Sequence, residues 1–384
     1  MKNIPQIRFP EFSGEWVEKR LGEIGEIIGG GTPNTKKKEY WNGKIIWLTP
    51  TEIKQKYISH SERTITQKGL KNSSAKLLPK GTILITTRAT IGDIGIAQVE
   101  CATNQGFQSL IVNKTNFNEF TYYLLSRKNI KNEMIKKANG TTFLEINKNQ
   151  LSKIKIHIPP TLAEQQKIAN FLSSIDEKID IISKKIENLK EYKKGIMRKM
   201  LNVKNGTPEL RFPEFSGEWI EKKFGEVLAY EQPTKYLITA DYVNKGTPVL
   251  TAGKTFILGY TNETDNIYTN LPVIIFDDFT TDSKFVNFPF KLKSSAIKIL
   301  KTKKGFDAKF IYEAMQLIKF KVGGHQRHWI KIFSNLKIHI PKNLEEQQKI
   351  AEFLSLIDEK IELNEQVLDK LKEYKRGLLQ KMFV

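Results

Sequence analysis

The chain of 384 residues has a single cysteine, Cys101, and only five histidines. One cysteine excludes a disulfide framework and a cysteine-rich zinc site. His325 and His328 have HxxH spacing, but no carboxylate or cysteine stands near to complete a metal set, so no metal site is expected. Long apolar runs are missing too, which leaves no transmembrane helix to propose. The opening MKNIPQIRFPEF lacks the apolar stretch of a secretory signal. A soluble, cytoplasmic protein is the expectation. Catalytic signatures are absent as well. GTPVLTAGKTF (246–256) resembles a phosphate loop, but six residues separate Gly246 from Gly253 where four are needed. FDDFTTDSK (276–284) is a degenerate echo of nuclease sites. There is no GxSxG and no glycine-rich cofactor turn paired with an Asn/Asp-Pro-Pro-aromatic signature. The chain reads as non-catalytic.

What is abundant is positive charge. The formal net charge is +20, and such an excess suits a polyanionic partner, nucleic acid before membrane. A general bias toward lysine is the bland alternative, since Lys greatly outnumbers Arg. The distribution argues against it. Residues 1–200 hold 34 Lys and Arg against 19 acids, whereas residues 201–384 hold 28 against 23. Charge gathered in patches suits a binding surface.

The chain also repeats itself. RFPEFSGEW occurs at 8–16 and again at 211–219. KIHIPPTLAEQQKIANFLSSIDEKI (155–179) returns as KIHIPKNLEEQQKIAEFLSLIDEKI (337–361), and EYKKGIMRKM (191–200) as EYKRGLLQKM (373–382). These matches define a tandem duplication with units of roughly 1–203 and 204–384. The middles differ: GGGTPNTKKKEYWNGKIIWLTPTEI (29–53) has no counterpart in the second unit. Repeated frames around dissimilar middles suggest one architectural job and two readout jobs.

The frame ends in long helices. Thr161 is placed to cap one, with Glu164 at capping-box spacing. Apolar residues then recur at alternating intervals of four and three: Ile168, Leu172, Ile175, Ile179, Ile182, Ile186, Leu189, Ile196 and Met200, with Lys193 as the break. The second copy gives Ile350, Leu354, Ile357, Ile361, Asn364, Leu368, Leu371, Leu378 and Met382, with Lys375 at the break. This is a heptad seam, and the polar Asn364 within it suits register fixing. A helix of about forty residues spans ~60 Å. The intervening domain of about 130 residues, roughly 36 Å across, would not bridge that length if the helices were parallel. An antiparallel pair with one globular domain at each end is therefore expected.

Each middle shows short apolar runs punctuated by glycine, the mark of strands: KIIWLTP (44–50), GTILITTRATIGDIGIA (81–97) and FQSLIVNK (107–114), then TPVLTAG (247–253), LPVIIFDDF (271–279) and SSAIKIL (294–300). Helices are expected at 120–138 and 306–320. The fold class is α+β: two globular domains with mixed, curved sheets, pseudo-two-fold by duplication. Domain boundaries fall at 1–160, 161–203, 204–341 and 342–384. His157 and His339, in the repeated KIHIP strand, read as structural. Candidate nucleic-acid contacts are Lys36, Lys37, Lys38, Tyr40 and Trp41 in NTKKKEYW, Trp47 in the next strand, and Arg88 among the hydroxyls of TTRAT. Lys254, Lys284 and, from the loop GGHQRHW, Gln326, Arg327 and His328 complete the set. Arg suits guanine, Gln suits adenine and Lys suits phosphate.

Two variable domains, each followed by a P-x-x-x-E-Q-x-x-I-A-x-F-L-x-x-I-D-x-K-I helix, resemble the specificity (S) subunit of a type I restriction–modification enzyme. Pro160 through Ile179 carry the first signature, Pro341 through Ile361 the second. The second has Lys342 where the first has Pro160. The resemblance covers essentially the whole chain. It implies that each middle is a target-recognition domain reading half of a bipartite, asymmetric sequence in double-stranded DNA. It implies that the helices space the halves and dock two methyltransferase (M) subunits, which bind S-adenosylmethionine and methylate adenine N6 after base flipping. Restriction (R) subunits would use ATP and Mg. A coiled-coil scaffold whose end domains bind protein is the alternative, and neighbouring genes for a methyltransferase and a helicase–nuclease would discriminate.

Overall fold

The computed structural model describes residues 3–140, 144–253, 255–318 and 328–384. The chain forms two compact units. One comprises Met1–Ile182 with Val367–Val384, the other Ser183–Gln366. Each long helix is therefore divided between units, and the unit boundaries fall within the helices instead of at their ends. The helices run Leu162–Leu201 and Leu344–Lys381. None among the described residues is long and apolar enough to cross a membrane.

Topology repeats where sequence does not. In the first unit a five-stranded sheet has the order Gly25–Gly29, Gln108–Val112, Ile83–Ile85, Ile94–Ala97, Tyr57–Ile58. In the second, Leu228–Glu231, Ile297–Thr302, Val273–Asp277 and Ser283–Val286 follow the same order without the last strand. Each unit adds a three-stranded mixed sheet, with Trp41–Leu48 or Thr247–Leu250 at its centre. Each is closed by a two-stranded ribbon made of repeated sequence. Val17 stands opposite Ile158 in one and Ile220 opposite Ile340 in the other. His157 and His339 lie in these ribbons. The chain thus enters and leaves each middle through adjacent strands.

The expected strands form, the long run 81–97 as two strands around a turn. The helix expected over 120–138 divides into Asn118–Leu125 and Lys128–Lys137. Arg127 is extended between them, and its buried guanidinium donates to the Leu124 and Val384 carbonyls. The second domain's helix is Ala308–Gln316.

The frame motifs meet at the helix starts. Thr161 accepts the Glu164 amide at 3.3 Å. Glu164 does not complete a capping box, however. Its buried carboxylate takes a two-pronged grip from Arg8, Nε and Nη2 each at 2.8 Å, and the Trp16 indole N–H at 3.1 Å. Arg211, Trp219 and Glu346 repeat the clamp, at 2.7, 2.8 and 3.1 Å. The glutamine that follows ties the helix to the domain: Gln165 accepts the Phe117 amide, and Gln347 the Asp307 amide. Lys342 does not disturb its helix, because Asn343 accepts the Glu345 amide at 2.8 Å.

The helices run antiparallel. In the second unit Lys190 pairs with Glu365 and Lys193 with Asp358, ascending on one helix and descending on the other. In the first unit Ile168, Leu172 and Ile175 share one core with Leu378, Met382 and Phe383. Phe383 stacks on Phe120 at 5.4 Å. Of the seam residues, Ile175, Ile186, Ile357 and Ile361 are buried, whereas Ile179, Ile182, Leu189, Asn364, Leu368 and Leu371 are half-buried. The Asn364 amide donates to Lys360 of its own helix at 2.6 Å.

Candidate nucleic-acid interface

In the first unit the lysine triplet sits on a loop whose base is fixed by glycine. A Cβ on Gly30 would lie 1.9 Å from the Asn104 carbonyl oxygen, and one on Gly31 2.2 Å from Ser74 Oγ. Beyond this squeeze, Asn34 shapes the loop. Its side chain accepts the Lys36 amide at 3.0 Å and its carbonyl accepts the Trp41 indole at 3.2 Å. Lys36, Lys37 and Lys38 are all exposed. Lys37 Nζ reaches the Tyr40 hydroxyl at 3.3 Å.

Tyr40 and Trp47 are not surface stackers. Both are buried, and Trp47 donates to the Gly31 carbonyl at 2.9 Å while standing perpendicular to Trp41. With Trp41, Ile45 and Ile65 they form a small local core beneath the loop. Arg63, which sequence reasoning missed, lies over this aromatic pair with its guanidinium carbon 3.6 Å from the Trp41 ring centre. Nothing in the sequence near Arg63 signals this, because Trp41 is distant along the chain.

Arg88 stands at the tip of the turn between Ile83–Ile85 and Ile94–Ala97. Thr86 Oγ1 accepts the Asp93 amide at 3.0 Å, and Ala89 adopts φ +59°. Arg88 is exposed but paired with Glu145 at 2.7 Å. A phosphate or base edge would have to compete with that carboxylate.

The second unit's matching turn joins Val273–Asp277 to Ser283–Val286. Asp277 accepts the amides of Phe279 and Thr280, each at 2.9 Å, a tight turn of the kind Asp favours. Lys284 follows, half-buried beside a groove of about 290 Å³ lined also by Gly253, Thr281, Asp282 and Gln316. Arg88 and Lys284 thus belong to topologically equivalent hairpins. His328 is a correction: it is buried, with Nδ1 2.8 Å from the Asp278 carbonyl oxygen. Asp278, equally buried, accepts the Trp329 amide at 2.8 Å and faces Lys298. The acidic pair of FDDF therefore organises backbone. Lys254, Gln326, Arg327 and His325 lie outside the described residues. Among the described residues no group of three His, Cys, Asp or Glu could hold a metal.

Two α+β units of one topology, each gripped by the same Arg–Glu–Trp clamp, define a duplicated protein with two dissimilar loop-bearing faces. The family described as type I restriction modification DNA specificity domain matches residues 13–191 and 216–373, and the chain belongs to that family. It is 41% identical over 180 residues to the type I restriction enzyme MjaIX specificity subunit of Methanocaldococcus jannaschii, covering 46% of this chain and 41% of that protein. It is 48% identical over 151 residues to the EcoR124I/EcoR124II specificity subunit of Escherichia coli, covering 36% and 37%. The matched part thus spans about two fifths of the length of these relatives. The fold is similar to that of the type I restriction–modification S subunit of M. genitalium, with a TM-score of 0.69 over 99% of both chains at 18% identity.

Proposed function

We propose that this chain is the non-catalytic specificity subunit of a type I restriction–modification enzyme, each unit reading one half of a bipartite, asymmetric sequence in double-stranded DNA. The observation that carries this reading is the conservation of topology under unrelated sequence. The sheets of the two middles follow one strand order, while the loop of Lys36 and the hairpin turns at Arg88 and before Lys284 differ in length and chemistry. A shared scaffold with divergent loops is what two readers of different half-sites require.

Two methyltransferase subunits, carrying S-adenosylmethionine, dock on the long helices, and restriction subunits using ATP and Mg join them. This chain needs no cofactor of its own and works in the cytoplasm beside the chromosome. Matched exposed apolar positions support two copies of one partner. Ile181 and Leu363 are 65% and 61% exposed, Tyr192 and Tyr374 52% and 54%. Neither copy uses them for its own core, yet both keep them apolar. Methylome sequencing of a host expressing this chain with its methyltransferase is the test. Two fixed half-sites around an unread gap are expected. A single undivided motif would refute the reading.

A further inference from the structure

We infer that Arg63 is a base-reading residue of the first unit and that its target is a guanine edge in the major groove. The inference rests on the specificity-subunit reading and deepens it.

The argument begins with WNG at 41–43. Asn42 takes φ +60°, and a Cβ on Gly43 would stand 2.4 Å from the Ile65 carbonyl oxygen. These two residues create a bulge in strand Trp41–Leu48, so that Trp41 and Ile45 both pair with Ile65. The bulge draws Trp41 back beside Trp47, their rings 5.1 Å apart and perpendicular. Each indole N–H is anchored to a carbonyl, Trp41 to Asn34 and Trp47 to Gly31. Both indoles are buried and held.

Arg63 stands directly opposite Trp47 in the neighbouring strand. Its guanidinium carbon is 3.6 Å from the Trp41 ring centre and 5.5 Å from that of Trp47. Yet the residue is exposed. Among the described residues no carboxylate forms an ion pair with it, in contrast to Arg88 with Glu145 and Arg8 with Glu164. Stacking on an indole occupies the guanidinium face and leaves the N–H edge for a ligand. The planar fork matches guanine O6 and N7. Because the platform is built before DNA arrives, less side-chain freedom is lost on contact. The surrounding chemistry agrees: Asn34, whose carbonyl anchors Trp41, also shapes the turn that exposes Lys36. A base reader and phosphate-facing lysines therefore share one rigid loop system.

The test uses the full chain assembled with its methyltransferase, comparing wild type, Arg63→Ala and Arg63→Lys. Methylome sequencing and binding to a panel of duplexes with single-base changes supply the readouts. Both variants should relax one guanine position in one half-site and leave the other half-site intact. Binding to the wild-type site should fall roughly 5- to 150-fold. Arg63→Lys keeps the charge but not the fork, so it should relax specificity while retaining non-specific binding. Equal loss on every duplex, with a shallower salt dependence and rescue by lysine, would mark a phosphate contact and overturn the inference. Unchanged specificity in both variants, with a lowered melting temperature, would make Arg63 a structural pin and overturn it as well. A wild-type complex that methylates no bipartite site would instead sink the specificity-subunit reading itself.

Discussion

Glu164 is 1% exposed, and a carboxylate so placed is tolerable only if every attraction it has lost to water is replaced. Arg8 replaces most of it through two parallel hydrogen bonds and gives two more N–H groups to the Ser13 and Gly14 carbonyls. Removing the arginine strands a buried charge, so Arg8→Ala should cost about 3–5 kcal/mol, and the same holds for Arg211→Ala. Arg8→Lys should recover little, because an ammonium cannot present the fork. Hydrogen exchange localises the damage: protection should fall in the first unit for Arg8 variants and in the second for Arg211 variants. Equal loss in both units from either variant would contradict the clamp. The RFPEFSGEW repeat was legible as a frame, but not its purpose. Capping-box spacing at Thr161 and Glu164 is a local pattern, whereas the partner that claims Glu164 lies 156 residues away. Tyr40, Trp47 and His328 were misjudged for a related reason. Aromatic and imidazole groups beside basic residues look alike in sequence whether they face solvent or a local core.

At the level of elements, the heptad seam and its two lysine breaks are legible in the sequence, but the partners of those lysines are not. Lys193 and Lys375 break the apolar pattern at equivalent places, and each pairs across to the other helix, with Asp358 and Asp176. The domain helices complete these joints differently. Counting from the phenylalanine that touches each clamp tryptophan, Tyr123 of the first unit corresponds to Glu313 of the second. Tyr123 donates to Asp176 at 2.6 Å, and Lys56 donates to Tyr123 and Ser173. Burial pushes the Lys56 ammonium below its usual range, with nearby Asp176 opposing the shift. In the second unit buried Glu313 receives both Lys193 and Lys309, which also share Asp358. Burial acts to raise the Asp358 carboxyl, but the hydrogen bonds from Lys193 and Lys309 overcome it and hold it below 3.8. A carboxylate depressed on folding stabilises above its unfolded value and loses that contribution as pH falls through its folded value. Thermal denaturation below about pH 4 should therefore weaken the second unit, and Asp358→Asn should flatten that acid limb. Lys309 moves the other way. Desolvation is outweighed by Glu313 and Asp358, so its ammonium is held above 10.5 and its contribution fades only at higher pH. An acid limb unchanged by Asp358→Asn would show that ionised Asp358 adds nothing to stability.

For the whole molecule, the repeat is expressed in the division of each long helix between two units. Residues 162–182 belong with the first unit and 183–201 with the second, and the other helix is split in the opposite order. The α+β class follows from the glycine-punctuated apolar runs beside helical stretches, and the antiparallel pairing from helix length. The common topology of the middles did not, because strand order depends on long-range pairing that dissimilar sequences reach by different residues. If the helices set the interval between half-sites, one heptad inserted within residues 180–195 and one at the equivalent place in the second helix should lengthen the unread gap alone. Seven residues add about 10.5 Å of helix, the length of roughly three base pairs at 3.4 Å each. A heptad also returns the seam to nearly the same face, which keeps the buried positions Ile186, Ile357 and Ile361 in phase. Four residues would add ~6 Å and rotate the seam by about 40°, so that variant should lose activity before it gains a clean new gap. Methylome sequencing reads both outcomes directly. Half-sites that change with the heptad, or a gap that does not, would place the ruler somewhere other than these helices.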